Sequence, residues 1–177
     1  MSIETRVIFE RARLPTAAEW ADAIVQAGYP LELDREFDPA TFSGFLPCVY
    51  QGDESGFEYF FGEAADALPG DPSALAERNA AAFFITHSDV TDLATATIAA
   101  SVLAALTDGV LFDCEGGELV EASSVRRWAD TQLQAGPTTE PQAPFQAVTA
   151  PGGTPWLAVV VGTSIVLLGA IYLWLAA

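Results

Sequence analysis

The sequence contains no lysine, and its seven basic residues are all arginines. Against them stand 24 aspartates and glutamates, which give a formal net charge of −17 at pH 7. A surface of this charge repels nucleic acids and anionic lipid headgroups and attracts basic proteins by long-range steering. We therefore expect no nucleic acid among the partners. Two interpretations stay open: the charge recruits a basic partner, or it only keeps a small domain soluble.

Cysteine and histidine are also scarce. Cys48 and Cys114 are far apart, and no second cysteine or histidine lies near either, so the chain lacks the spacing of a zinc site. The single histidine, His87, precedes Ser88 and Asp89, but catalytic triads are assembled from distant positions rather than from neighbours. Neither a GxSxG motif nor a glycine-rich phosphate loop is present. The sequence thus predicts a protein that is not an enzyme and has no cofactor or metal.

The first fifteen residues carry acidic side chains and lack the apolar run of a signal peptide. By contrast, residues 156–177 (WLAVVVGTSIVLLGAIYLWLAA) contain no ionisable side chain. A helix of this length, at about 1.5 Å per residue, spans about 33 Å and can cross a hydrocarbon core of about 30 Å. The pattern predicts a single-pass membrane helix in the lipid bilayer, acting as a tail anchor, with the amino-terminal domain in the cytoplasm.

Small residues recur along one face of this predicted span. Ala158 and Gly162 are four positions apart, and Gly169 follows on nearly the same face. Small residues allow two helix backbones to approach closely in lipid. These three residues are therefore candidates for helix–helix contact, either in a homo-oligomer or with another membrane protein.

Residues 1–134 predict one α+β domain, and residues 135–155, rich in proline and glycine, predict a linker without a core. Thr16 followed by Glu19 is the pattern of a capping box and predicts a helix that ends at Gly28. A second helix is predicted from 90 to 106, capped by Ser88 or Asp89 and with Leu106 on its apolar side. A third is predicted from about 124 to 134.

Short runs of β-branched and aromatic residues predict the strands. These runs lie at 5–12, 31–34, 48–50, 57–61, 82–86, 110–113 and 118–120. Glycine and proline make 35–47 and 51–56 predicted loops. The aromatic-rich run at 57–61 fits a strand packed on helices, and an exposed aromatic binding face is the alternative.

Acidic residues on the predicted loops are the candidate contacts for a basic partner, because loop carboxylates stay accessible. They are Asp34, Glu36, Asp38, Asp53, Glu54 and Glu115. Phe42 or Phe45 would supply the apolar anchor that charge alone does not. The alternation at 34–38 also suggests calcium, but an EF-hand loop needs glycine and an acidic residue where this chain has Pro39 and Phe45. We therefore expect no calcium site.

Three segments carry a family resemblance: FDPATFSGFLPC at 37–48, GFEYFF at 56–61 and LTDGVLFDCEGGELV at 106–120. In them the chain resembles small bacterial immunity-type proteins, which accompany toxins or effectors and bind them. The resemblance extends over most of residues 1–130. It implies an α+β binding domain without catalysis and carries over no site residue. The predicted anchor departs from this family. Together with the acidic surface, the resemblance and the anchor predict a basic toxin or effector as partner at the bacterial inner membrane.

A different class of protein also fits the predicted anchor. A tail-anchored structural subunit of an envelope or secretion complex would use the membrane helix itself as its interface. Such a protein would need the span for recognition, whereas a toxin-binding domain would need it only as a tether. The two hypotheses therefore differ in what replacement of the span should do.

Overall fold

The computed structural model describes residues 2–67, 77–87 and 89–135. The predicted span at 156–177, with Ala158, Gly162 and Gly169, lies outside the described residues, and so does the predicted linker after Ala135. The described part of the chain is a mixed α+β domain, which confirms the fold class predicted for it.

One antiparallel sheet carries the domain. Its seven strands are β1 (Ile3–Phe9), β2 (Leu31–Leu33), β3 (Ser43–Tyr50), β4 (Asp53–Glu63), β5 (Ala80–Thr86), β6 (Val110–Asp113) and β7 (Glu118–Glu121). They lie in the order β2-β3-β4-β5-β1-β6-β7. Three α-helices are described, α1 (Ala17–Gln26), α2 (Val90–Thr107) and α3 (Val125–Ala135). The short strand β2 and the short strand β7 therefore form the two edges of the sheet.

Helix α1 begins with the capping box that the sequence predicts. Thr16 Oγ1 accepts a hydrogen bond from Glu19 N at 3.2 Å, and the Glu19 carboxylate accepts one from Thr16 N at 2.8 Å. The bond from the Thr16 backbone lowers the pKa of Glu19. At the other end Gly28 has a φ of +81°, a conformation that glycine adopts without strain.

We expect Thr16→Ala to lower the free energy of unfolding by about 1 kcal/mol, because Glu19 N loses its side-chain acceptor, Thr16 Oγ1. Thr131→Ala, on the exposed surface of α3, is the control and should change it by less than about 0.5 kcal/mol. Urea titrations of the full-length chain and both variants would measure the difference. Equal stabilities for the two variants would contradict the assigned cap.

Helix α2 is the central element of the core. It is buried on all sides from Thr95 to Ala104, and it contacts the sheet, α1 and α3. Among the described residues it alone is long and apolar enough to cross a membrane, yet 11 of its 18 residues are buried inside the domain. Burial on all sides accounts for that composition. Asp89 caps the helix through Thr91 N, whereas Leu106, predicted to face the core, is 42% exposed.

Aromatic side chains fill the space between α1, α2 and the sheet. Trp20 is fully buried, its ring centroid lies 5.8 Å from that of Tyr59 and 5.9 Å from that of Phe84, and its Nε1 donates to Ala99 O at 3.1 Å. Tyr59 and Phe57 are buried as well. The run at 57–61 therefore packs in the core, and the alternative of an exposed aromatic face there is wrong.

Two predicted loops are wrong at the edge of the sheet. Strand β3 begins at Ser43, inside the predicted loop 35–47, and β3 is joined to β4 by a two-residue turn, Gln51 and Gly52, with φ values of +55° and +94°. Positive φ at both turn residues is typical of a tight hairpin. Proline is tolerated in β3 because the backbone of Pro47 faces the sheet edge, where no N–H is needed.

Candidate protein-binding site

An open groove of about 750 Å³ lies where β2, β3 and β4 meet the start of α2. Four carboxylates line it, and they belong to Glu32, Asp34, Glu54 and Asp92. Its apolar lining includes Phe45, Pro47 and Val49. We call this set of residues the acidic groove.

The register of the edge strands brings these side chains together. Glu32 of β2 is opposite Val49 of β3, and Val49 is opposite Glu54 of β4. The side chains of residues that are opposite each other in a sheet point to the same face. The side chains of every second residue along one strand also share a face. Val49, Pro47 and Phe45 therefore share a face with Glu32 and Glu54, on the side away from Leu46 and Cys48, which join the core.

Phe45 is the large apolar side chain of the groove that remains in water. It is 59% exposed, and its ring lies against the backbone of Gly56. A Cβ atom at position 56 would collide with this ring and would lie 2.7 Å from Leu46 O. Because Gly56 has no side chain, the Phe45 ring can lie across β4 at this position.

Asp92 differs from the other three carboxylates because the fold already uses it. Its Oδ1 accepts hydrogen bonds from Ser55 Oγ at 2.8 Å and from Gly56 N at 3.3 Å. These bonds attach the first turn of α2 to β4. Asp92 lies with Ser55 and Cys48 on the other face of these strands and lines the groove from that side. Glu32, Asp34 and Glu54 are exposed and accessible.

The exposed carboxylates of the groove have no arginine partner among the described residues. Five of the seven arginines form ion pairs, and all five pair with carboxylates outside the acidic groove. The pairs are Arg6–Glu4, Arg11–Glu63, Arg13–Glu10, Arg13–Asp108, Arg35–Asp22 and Arg78–Glu121. Uncompensated like charges on one concave surface produce a local negative potential that attracts cationic groups.

The structure brings together some of the six predicted partner-binding residues. Asp34 and Glu54 line the acidic groove, and Asp53 precedes Glu54 in β4 rather than in a loop. Glu36 is exposed beside Asp34, whose Oδ1 accepts a hydrogen bond from Glu36 N at 2.9 Å. The sequence gives no direct signal for Glu32 and Asp92, because their place in the groove depends on strand register and on the position of α2.

The remaining predicted contacts lie elsewhere or serve the loop. Asp38 is exposed but accepts hydrogen bonds from Ala40 N and Thr41 Oγ1, which fix the turn before β3. Glu115 lies in the turn between β6 and β7, at the opposite end of the sheet from the groove. Of the two alternative apolar anchors, Phe45 is exposed, whereas Phe42 is half-buried with its ring centroid 5.4 Å from that of Phe37.

The residues considered for chemistry do not converge. His87 is exposed, and its Nε2 lies 3.2 Å from Glu58 Oε1. Burial raises the pKa of the Cys48 and Cys114 thiols to about 11. Within the part of the chain that the structure describes, no three His, Cys, Asp or Glu side chains are close enough to hold a metal ion.

A second, smaller hollow of about 240 Å³ lies between the helices. Its lining includes Ala23, Val102, Leu106 and Val125, and Arg126 is its one charged residue. Unlike the acidic groove, it offers no carboxylate to a basic partner. Of the two hollows, only the acidic groove combines a concave surface with negative charge.

We expect Cys48 to react slowly with a thiol reagent such as DTNB in the folded protein. With a pKa of about 11, about one thiol in a thousand is ionised at pH 8, and only the thiolate reacts. Because the folded protein favours the neutral thiol, the contribution of Cys48 to the free energy of unfolding is fully present below about pH 8.5. This contribution is lost as the pH rises towards 11. The measurement uses a Cys114→Ser variant, in which Cys48 is the remaining thiol, and follows the colour that DTNB releases before and after urea is added. Rapid release before urea would contradict a buried Cys48.

No protein-family model matches the chain, and neither a curated protein nor a solved structure matches it. The resemblance to immunity-type proteins therefore stays a prediction.

Proposed function

We propose that this protein is a membrane-tethered, non-enzymatic binding protein that neutralises a basic bacterial toxin or effector. The acidic groove is the proposed contact site. The observation that carries the proposal is the set of exposed carboxylates, Glu32, Asp34 and Glu54, which have no arginine partner within the described residues. A partner with lysine or arginine side chains would supply the missing charge.

The exposed Phe45 ring gives the groove an apolar element beside its charges. Charge complementarity mainly raises the association rate and selects the partner, whereas buried aromatic side chains contribute most of the binding energy. Phe45 lies next to Pro47 and Val49, so a partner can cover a continuous apolar strip flanked by carboxylates. This combination supports a protein–protein contact rather than a site for a small ion.

A binding role without catalysis agrees with the state of the candidate nucleophiles. Burial keeps the thiols of Cys48 and Cys114 protonated at neutral pH, since their pKa is raised to about 11. His87 has Glu58 beside it, and neither residue lines the acidic groove. We therefore assign no catalytic residue.

The tether is proposed from the sequence at 156–177, which contains no ionisable side chain. Such a segment would hold the acidic domain at the cytoplasmic face of the inner membrane. The linker of about 20 residues would reach on the order of 25 Å as a flexible coil. The proposed tether would keep the domain close to a partner that reaches the membrane.

Affinity capture with the full-length chain in detergent tests the proposed function. We expect a basic bacterial protein to be retained at 0.1 M salt and released at 1 M, because the screening length falls from about 10 Å to about 3 Å. Expression of the retained protein alone should arrest growth, and co-expression of this chain should restore it. Retention of only acidic proteins, or retention that salt does not change, would contradict the proposal.

The small residues Ala158, Gly162 and Gly169 of the predicted span favour a second candidate, a structural subunit of an envelope or secretion complex. Replacing 156–177 with an unrelated membrane span separates the two. A toxin-binding protein should keep its partner, because recognition lies in the domain. A structural subunit should lose its assembly.

A further inference from the structure

Strand β3 has a free edge next to the acidic groove. Strand β2 is three residues long and pairs only with Cys48, Val49 and Tyr50. The first part of β3, residues 43–47, pairs with β4 on one side. On its other side no strand pairs with it in the described part of the chain.

The backbone groups at this edge are oriented for pairing. Gln51 N donates to Pro30 O on the β2 side, and alternate residues of a strand direct their N–H and C=O groups to the same side. The groups of Ser43 and Phe45 therefore face the free edge. Pro47 also faces it but has no N–H to offer, so a bound strand can pair with residues 43–45 and with the Pro47 carbonyl.

A strand bound at this edge would place side chains on the groove. In antiparallel pairing, the residue opposite Phe45 lies on the same face of the sheet as Phe45. On that face it would be flanked by Phe45 and by Asp34, which follows the last residue of β2. A long cationic side chain at this position can stack on the Phe45 ring and reach a carboxylate.

We propose that the partner contributes an extended, arginine-rich segment that pairs antiparallel with residues 43–47 of β3 as an added strand. Its alternate arginines lie on the acidic groove. The inference rests on the proposed function and specifies how that partner is recognised. Charge complementarity selects this occupant, because a second copy of the chain would place Asp34 and Glu54 against like charges.

An eight-residue peptide that alternates arginine and threonine is a direct probe. In the proposed pairing, the N–H groups of the arginines face β3, and those of the threonines face solvent. Two isomeric peptides, one N-methylated at every arginine and the other at every threonine, keep the same charge and composition. We expect arginine methylation to weaken binding to the full-length chain by at least about tenfold, and threonine methylation to change it by less than about threefold.

The protein side offers a matching pair of variants. Ser43→Pro removes one N–H from the free edge without changing charge, and Glu54→Lys changes charge without touching the edge. Equal affinities of the two methylated peptides, or a loss with threonine methylation instead, would overturn the strand pairing. If Glu54→Lys still abolished binding in that case, the proposed function would stand. Failure of the unmodified peptide to bind at 0.1 M salt would also overturn the pairing.

Discussion

Replacing Trp20 with alanine is expected to lower the free energy of unfolding by about 3–5 kcal/mol, the largest loss from any single change considered for this domain. Trp20 is fully buried between α1, α2 and the sheet, in contact with Tyr59 and Phe84. Its removal leaves a cavity where these elements meet and also removes the hydrogen bond that Trp20 Nε1 donates to Ala99 O. Because domains are stable by only about 5–15 kcal/mol, this loss removes a large share of the total stability.

Val25→Ala is the matched control, because Val25 is on the same helix and is 64% exposed. It should change the free energy of unfolding by less than about 0.5 kcal/mol. Urea unfolding followed by circular dichroism of the full-length chain would measure both. A loss below about 1 kcal/mol for Trp20→Ala would mean that α1 is not packed on the core as described.

Local patterns account for the parts of the fold that the sequence predicts well. Thr16 and Glu19 are three positions apart, so the start of α1 depends on no distant residue. Helix α2 is also bounded by nearby residues. Asp89 caps its start, and Asp108, in the left-handed backbone conformation, ends it. Element type and position are therefore predicted correctly where a short segment contains the whole signal.

The errors arise where the environment of a residue decides its conformation. Gly44 and Pro47 are typical loop residues, but both belong to β3, because proline can occupy a strand whose N–H side is an edge. The sequence does not show which strand lies at the edge. The same limit applies to Phe42 and Phe45, three positions apart, of which one packs on the core and the other lies in water.

The acidic groove was predictable only in part. Accessible carboxylates at Asp34 and Glu54 follow from the pattern of the chain, and both residues are exposed. Their convergence depends on the register that places Glu32, Val49 and Glu54 in one row, and on Asp92 arriving from a helix far along the chain. Glu115 shares with them an acidic side chain on a predicted loop, but it lies at the other end of the sheet.

Reversing the charge of the groove should have the largest effect on partner binding. Asp34→Lys combined with Glu54→Lys is expected to weaken retention of the basic partner by more than about tenfold, because each lost charge pair in a desolvated contact costs on the order of 2–5 kcal/mol. Both residues are exposed and make no ion pair within the described residues. The fold should therefore tolerate the change, which removes only the exposed hydrogen bond that Glu36 N donates to Asp34 Oδ1.

The most direct measurement of the central claim compares this variant with a second double reversal, Glu115→Lys and Glu118→Lys, at the β6–β7 turn. Both variants change the net charge equally, so they separate the groove from the overall charge of the protein. The partner retained in the affinity capture at 0.1 M salt should be lost from the groove variant and kept by the β6–β7 variant. Equal retention by the two variants, or equal loss from both, would contradict the assignment of the acidic groove as the binding site.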